Sequence, residues 1–117
     1  MDSKTRSPYP YRWRDYRSAS GRQPVAEFVR TLPIAHREAI AAAMNEVRRE
    51  GLAAGRRVVG EIFEVRAQTR DAHYRILFAS ETRYIFLRLL IFDKNDQKTR
   101  GNVKDVAERR LWEWRTR

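Results

Sequence analysis

Three consecutive strand-like segments of this sequence each carry one arginine. Arg66, Arg75 and Arg88 each fall in the set of residues opposite the presumed core set, because side chains alternate between the two faces of a strand. Neighbouring strands lie about 4.8 Å apart, so the three guanidinium groups can converge on one anion. Glu64 would orient or partly neutralise one of them. The alternative is a solvated face with scattered arginines, and periodicity alone does not exclude it.

A dense group of polar residues, DKNDQK, follows the most apolar segment, YIFLRLLIF. Lys94 and Lys98 either remain in water in a polar loop, or reach over the sheet to the same anion. Crowding of cations favours the neutral form of a lysine, which makes Lys94 a candidate base. His73 is a second acid/base candidate because imidazole titrates near neutral pH, although an exposed histidine at a strand end is the simpler interpretation.

The overall charge favours a polyanionic partner. The 117 residues include 25 Lys and Arg against 15 Asp and Glu, which gives a net charge of +10, and only four of the basic residues are lysines. The planar guanidinium fork fits phosphate better than the ammonium of lysine does. We therefore expect nucleic acid or a ribonucleoprotein as partner. An arginine bias from a high-GC genome is the alternative explanation.

Several classes of site are excluded by the residue types. The chain has no cysteine, which rules out disulfides and thiolate metal sites, and His36 and His73 lie too far apart for a local metal motif. We expect no metal and no cofactor. No apolar run approaches the roughly 20 residues that span a membrane, and the N-terminus lacks the apolar centre of a signal peptide. These features predict a cytoplasmic protein without membrane contact.

The first half of the chain reads as a strand and two helices. We expect residues 1–10 to form a flexible tail and residues 11–117 to form a single domain. The alternation in YRWRDYR, residues 11–17, predicts a short or edge strand. Pro24 stands where a helix would start, and a second helix follows from about Ile34 to Glu50 with Gly51 as its stop. The two helices would form a hairpin joined at a proline.

The second half changes to a period of two and then returns to a helical period. The segments GEIFEVR, HYRILFA and YIFLRLLIFD, separated by short connections, predict a three-stranded antiparallel meander. Asn102 is a suitable N-cap for a last helix. The element order β-α-α-β-β-β-α predicts an α+β fold. The helical hairpin would cover the sheet face made of Tyr74, Ile76, Phe78, Leu87 and Leu89. Phosphate-binding arginines are also expected in loops beside the sheet, at Arg56, Arg57 and Arg70.

These segments together resemble the RelE-type toxins of bacterial toxin–antitoxin systems, and most of all their phage-derived, HigB-like branch. The resemblance extends from about residue 11 to residue 114. That branch has a Glu-x-Arg strand, a Tyr-Arg strand, and a Phe-x-Lys-Lys-x-x-Gln-Lys-Thr-Pro segment before the last helix. The matching residues here are Glu64, Arg66, Tyr74, Arg75, Phe92, Lys94, Gln97, Lys98 and Thr99. Two positions depart from the pattern: Asn95 stands where a second lysine is common, and Arg100 replaces the proline.

The resemblance implies a RelE-like fold and a metal-independent endoribonuclease that cuts mRNA, often in the ribosome. In such a reaction the 2′-hydroxyl of the RNA attacks the phosphodiester, so the protein supplies charge stabilisation and proton transfer. On this hypothesis the catalytic residues are Arg66, Arg75 and Lys94. The residues expected to bind RNA are Arg56, Arg57, Arg70, His73, Arg88, Lys98 and Arg100. The implied partner is a helix-turn-helix (HigA-like) antitoxin.

Two other functions are also compatible with the sequence. A DNA gyrase poison of the ParE type shares the fold, but it does not need Arg66, Arg75 and Lys94 together. A non-catalytic module that binds RNA or the ribosome would need only the net charge of +10. Mapping of RNA 5′ ends, compared with a DNA-cleavage assay, separates these hypotheses.

Overall fold

The structure, a computed structural model, describes residues 8–96 and 101–117 and has a five-stranded sheet at its centre. The strand order is β1-β5-β4-β3-β2, with β1 parallel to β5 and every other pair antiparallel. The α+β architecture predicted from the sequence is confirmed. The strands are β1 (Arg12–Asp15), β2 (Arg56–Val59), β3 (Ile62–Gln68), β4 (His73–Thr82) and β5 (Ile85–Asp93).

Strand β2 adds a fourth member to the predicted three-stranded meander. It pairs with β3 on one side only and contains a register shift between Arg57 and Val59. Four residues, of which the first two are charged, are too few to show a periodic pattern, and for this reason the strand was not predicted. The prediction that Arg56 and Arg57 lie in a loop is therefore wrong: both are on this edge strand.

The described part of the chain also contains three α-helices: α1 (Pro24–Arg30), α2 (Ile34–Glu50) and α3 (Val103–Arg115). The predicted bounds of α2 are confirmed. Gly51 caps α2 with φ of 68°, and an added Cβ would lie only 2.8 Å from the Tyr11 ring, so a side chain is excluded for two reasons. Asn102 occupies the predicted N-cap position of α3, but its side chain makes no capping hydrogen bond. Within the described ranges, no helix is both long and apolar enough to cross a membrane.

The hairpin of α1 and α2 packs on one face of the sheet. Its stripe of Ile40, Ala43 and Val47 meets the buried side chains of Ile76 and Phe78 on β4. Both strand residues are fully buried, and the rings of Trp13 and Phe86 pack on Phe78 with their centroids 5.1 and 5.4 Å away. This part of the predicted core is confirmed, and it keeps the centre of the sheet rigid.

The opposite face of the sheet is covered by α3, which places Ala107 and Leu111 against it. Leu87 and Leu89 pack here, so the prediction that the helical hairpin covers them is wrong. The cause is a β-bulge: Leu77 pairs with Leu90 while Phe78 pairs with Arg88, and Leu89 is the extra residue. The carbonyl of Leu89 accepts a 2.8 Å hydrogen bond from Arg110 Nη1, and burial lowers the pKa of Arg110.

The bulge also moves Arg88 to the hairpin side of the sheet, away from Arg66 and Arg75. The prediction that the three share a face is therefore wrong. The guanidinium of Arg88 is held by both carboxylate oxygens of Asp15, at 2.5 and 2.8 Å, and its Nη1 lies 3.1 Å from the sulfur of Met44. Only 11% of the Arg88 side chain is exposed, so this ion pair joins β1 to β5 under α2.

Replacement of Asp15 by alanine is expected to lower the free energy of unfolding by about 1–2 kcal/mol, because it leaves the guanidinium of Arg88 without its carboxylate. The loss stays below that of a fully buried pair, since 21% of the Asp15 side chain is exposed and water can replace part of the contact. Urea unfolding measures the change. Glu27→Ala is the matched control, since it removes a carboxylate from an ion pair with Arg22 that is mostly in water and is expected to change stability by less than about 1 kcal/mol. Equal losses in the two variants would contradict a structural role for the Asp15–Arg88 pair.

Candidate active site

The site is built around Glu64, the one charged residue among those described that is buried. Only 5% of its side chain is exposed. Its Oε1 accepts hydrogen bonds from Arg75 Nη1 at 2.9 Å, Arg56 Nη2 at 3.0 Å and Arg66 Nε at 3.4 Å. We call these four residues the Glu64 cluster. A buried carboxylate requires such charged partners.

Strand register explains why the three arginines meet. Arg66 on β3 pairs directly with Arg75 on β4, and Arg56 on β2 pairs with Glu64. All four side chains lie on the face of the sheet that α3 partly covers, because they share the alternation of the buried residues Ile62 and Leu77. Two of the three predicted arginines are thus brought together, and Arg56 takes the place expected for Arg88.

The arginines of the Glu64 cluster differ in their exposure to solvent. The side chain of Arg75 is only 12% exposed, whereas Arg56 and Arg66 are 67% and 57% exposed. A guanidinium has five N–H donors, so a contact with Glu64 still allows each arginine to bind a phosphate oxygen. Three guanidiniums against one carboxylate give the cluster a net charge of +2. Its geometry therefore favours a multiply charged anion, with Arg75 fixed and the other two adaptable.

Lys94 and His73 lie at the same end of the sheet as the Glu64 cluster. Phe92 is the register partner of Arg75, and Lys94 follows it two residues later, about 7 Å along the chain. The backbone N–H of Lys94 donates to the carbonyl of His73 at 2.7 Å, and Asp93 accepts from the N–H of His73 at 3.2 Å. These bonds place the exposed Lys94 beside the end of β4. Its predicted role as a base remains a prediction.

The other predicted RNA contacts are more scattered. Arg57 pairs with Phe63, and its guanidinium lies 5.6 Å from that ring, which belongs to the hairpin side of the sheet. Arg70 is exposed in the turn between β3 and β4. Lys98 and Arg100, together with Gln97 and Thr99, lie outside the described residues.

A polar network that the sequence did not reveal holds the β3–β4 turn against α2. The Nδ1 atom of His36 forms a 2.8 Å hydrogen bond with the Tyr74 hydroxyl, and its Nε2 atom lies 3.1 Å from Asp71 Oδ1. Burial raises the pKa of Tyr74, and the hydrogen bonds from His36 and then Thr69 lower the pKa of Asp71. The network lies on the face opposite the Glu64 cluster. It fixes the end of the sheet where Arg75 and Lys94 are positioned.

The sequence predicted Arg56 as a phosphate contact in a loop, but did not predict its pairing with Glu64. The signal that could have indicated it is the spacing of Arg56 and Glu64 around Gly60, since a tight turn at that glycine, with φ of 52°, lets the two positions pair. Within residues 8–96 and 101–117, no group of three or more His, Cys, Asp or Glu side chains comes together in a way that could hold a metal.

Comparison with known protein families places the chain in one of them. The model of a protein family described as phage derived protein Gp49-like (DUF891) matches residues 27–112. That range includes α2, all of β2 to β5 and most of α3, and therefore every residue of the Glu64 cluster. No curated protein matches the chain.

Proposed function

Because the chain belongs to the Gp49-like family of phage-derived proteins, a toxin-like family of the RelE/HigB type, we propose that it is a toxin that cleaves mRNA, in association with the ribosome. The family is consistent with a toxin–antitoxin system and hence with an antitoxin partner. The observation that carries the ribonuclease proposal is the convergence of three guanidiniums on one buried carboxylate on a face of the sheet.

The proposed reaction uses the 2′-hydroxyl of the RNA as its nucleophile. The 2′-oxygen loses its proton and forms a bond to phosphorus, while the bond from phosphorus to the 5′-oxygen breaks. The leaving 5′-oxygen takes up a proton, so the products are a 2′,3′-cyclic phosphate and a 5′-hydroxyl. Negative charge on the phosphoryl oxygens grows as the five-coordinate centre forms. Preorganised donors aimed at that charge lower the barrier most effectively.

The residues of the Glu64 cluster match this need in different ways. Arg75 is largely buried and bonded to Glu64, so it can stabilise the developing charge without reorganising. Arg66 and Arg56 are more exposed and can follow the phosphate as its geometry changes. Lys94 is proposed as the base or as an additional cation, and His73 and Arg70 as contacts to flanking phosphates. Arg88 is left out, because Asp15 holds it on the other face.

The antitoxin is proposed to be a helix-turn-helix (HigA-like) protein with an acidic or amphipathic segment. Such a segment would cover the net positive charge of the Glu64 cluster and exclude RNA. Screening limits this attraction to about 8 Å at physiological ionic strength, so the acidic residues must approach the arginines closely.

Expression of the chain without an antitoxin is expected to arrest growth and shorten mRNA half-lives, because unprotected messages would be cut. Mapping of RNA 5′ ends after induction should show new ends that carry a 5′-hydroxyl. Arg75→Ala should abolish both effects, while Arg37→Ala, which removes an exposed arginine on α2, should abolish neither. Cleaved DNA with intact messages would indicate a gyrase poison. Normal growth with folded, abundant protein would refute the toxin proposal.

A further inference from the structure

A second cationic feature lies on the hairpin side of the molecule, between β1 and α2. A cavity of about 420 Å³ opens there, and we call it the β1–α2 groove. Its apolar part is formed by Trp13, Ala41 and Met44, and its polar part by Arg12, Asn45 and Arg48. The described residues that line it include two arginines and no acid. The groove thus combines an aromatic surface with positive charge.

Further pairs of aromatic rings and arginines involve residues of the groove or their neighbours in the chain and in the sheet. The guanidinium of Arg48 lies 4.3 Å from the centroid of the Tyr9 ring. In the β4–β5 turn, the guanidinium of Arg83 lies 5.3 Å from the exposed ring of Tyr84, which in turn is 6.1 Å from Tyr11. Interleaved aromatic and basic side chains are typical of proteins that bind single-stranded nucleic acid, because every base can stack on a ring.

We propose that the β1–α2 groove binds one nucleotide of a single-stranded RNA, with its base against Trp13 and its phosphates on Arg12 and Arg48. The volume falls within the range of about 300–1,000 Å³ that small-molecule sites occupy, so a nucleotide fits. Trp13 is held in place for stacking, because its Nε1 donates to the carbonyl of Met44 at 3.0 Å and its ring packs edge-on against Phe78. The positive rim disfavours a basic or apolar peptide as the occupant.

The groove is remote from the Glu64 cluster. Arg12 pairs with Ile85 at the start of β5, whereas Arg75 pairs with Phe92 near its end, so about 23 Å of strand separates them. The two sites also lie on different faces of the sheet. The inference deepens the proposed function and rests on it for the choice of RNA as ligand: the groove would hold the RNA strand at a distance from the phosphate that is cut.

The test measures the affinity of the whole chain for a fluorescent single-stranded RNA in which every 2′-hydroxyl is methylated. This probe cannot be cleaved, so binding is measured whether or not the protein is a ribonuclease. Arg12→Ala/Arg48→Ala is expected to weaken binding about tenfold or more. The logarithm of the association constant falls linearly with the logarithm of the salt concentration, and the slope of this line should become shallower by about 1.4. This is the value for two lost phosphate contacts on a single strand.

Arg37→Ala/Arg49→Ala is the matched control, since it removes the same charge from two exposed positions of α2. It is expected to weaken binding less than about threefold. A second probe, the same strand with its bases removed, tests stacking: the unchanged protein should bind it about tenfold more weakly, on the scale of losing one or more stacked bases. In Arg12→Ala/Arg48→Ala this difference between the probes should become smaller.

Three results would overturn the inference. Equal losses in the two double variants would show general charge attraction only. Equal affinity of the unchanged protein for both probes would show that no base is bound. Unchanged RNA affinity in Arg12→Ala/Arg48→Ala, combined with loss of antitoxin binding, would assign the groove to a protein. Failure of the proposed ribonuclease would look different: unmodified RNA would remain uncut, while binding would still depend on the groove.

Discussion

Arg75→Ala is expected to lower the single-turnover rate of RNA cleavage by about 100-fold or more, the scale of losing one preorganised donor to a developing oxyanion. Among the three arginines of the Glu64 cluster, Arg75 is the one that solvent reaches least, and Glu64 Oε1 holds its Nη1 at 2.9 Å. Its position is therefore already set before substrate binds. A donor of this kind contributes more to the transition state than to the ground state, so the loss should appear in the rate of the bound complex.

Affinity for RNA or ribosomes should fall much less in this variant, because the remaining cations still supply most of the salt-dependent attraction. Saturating enzyme and limiting RNA give the bound-state rate, and equilibrium binding gives the affinity. Arg70→Ala is the matched control: this arginine is exposed in the β3–β4 turn, so its loss should weaken binding slightly and leave the bound-state rate nearly unchanged. If Arg75→Ala lost rate and affinity in equal proportion, or kept its full rate, Arg75 would not belong to the catalytic centre.

The elements that the sequence predicted correctly are those with a long regular pattern. Helix α2 has a regular apolar spacing from Ile40 to Val47 and ends at Gly51, and the structure gives it the predicted bounds. The alternation in β3 and β4 placed Glu64, Arg66 and Arg75 on one face, and their register partners confirm this. In these segments local pattern and tertiary packing agree, so the pattern was sufficient.

The errors arise where one residue changes the register or a strand is very short. Leu89 is the extra residue of the bulge, and the side chains of β5 that precede it point to the opposite face from the one predicted. Arg88 therefore meets Asp15 instead of the Glu64 cluster. A bulge is fixed by pairing between strands, and the sequence of a single strand does not show it. Arg56 was assigned to a loop because β2 has only four residues, yet its pairing with Glu64 completes the site. Both errors concern non-local contacts.

Glu64→Gln is expected to lower the free energy of unfolding by about 3 kcal/mol, because the change leaves the largely buried guanidinium of Arg75 without its carboxylate. The amide has the same shape, so the loss reports charge and not packing. Arg56 and Arg66 are mostly in water and should contribute little to this loss. Urea unfolding measures the effect. The control is Glu27→Gln, which neutralises the carboxylate of the exposed pair with Arg22 and is expected to lower the free energy of unfolding by less than about 1 kcal/mol.

The same variant should bind uncleavable RNA more tightly, even though it is less stable. Glu64 competes with phosphate for three guanidiniums, and its neutralisation raises the net charge of the cluster by one. A double-mutant cycle tests the cause: in the Arg75→Gln background, Glu64→Gln should cost less stability than it does alone, because the buried cation that it would strand is gone. A variant that lost affinity in step with stability would show that Glu64 only supports the fold. Additive losses in the cycle would show that Glu64 and Arg75 do not act as a pair.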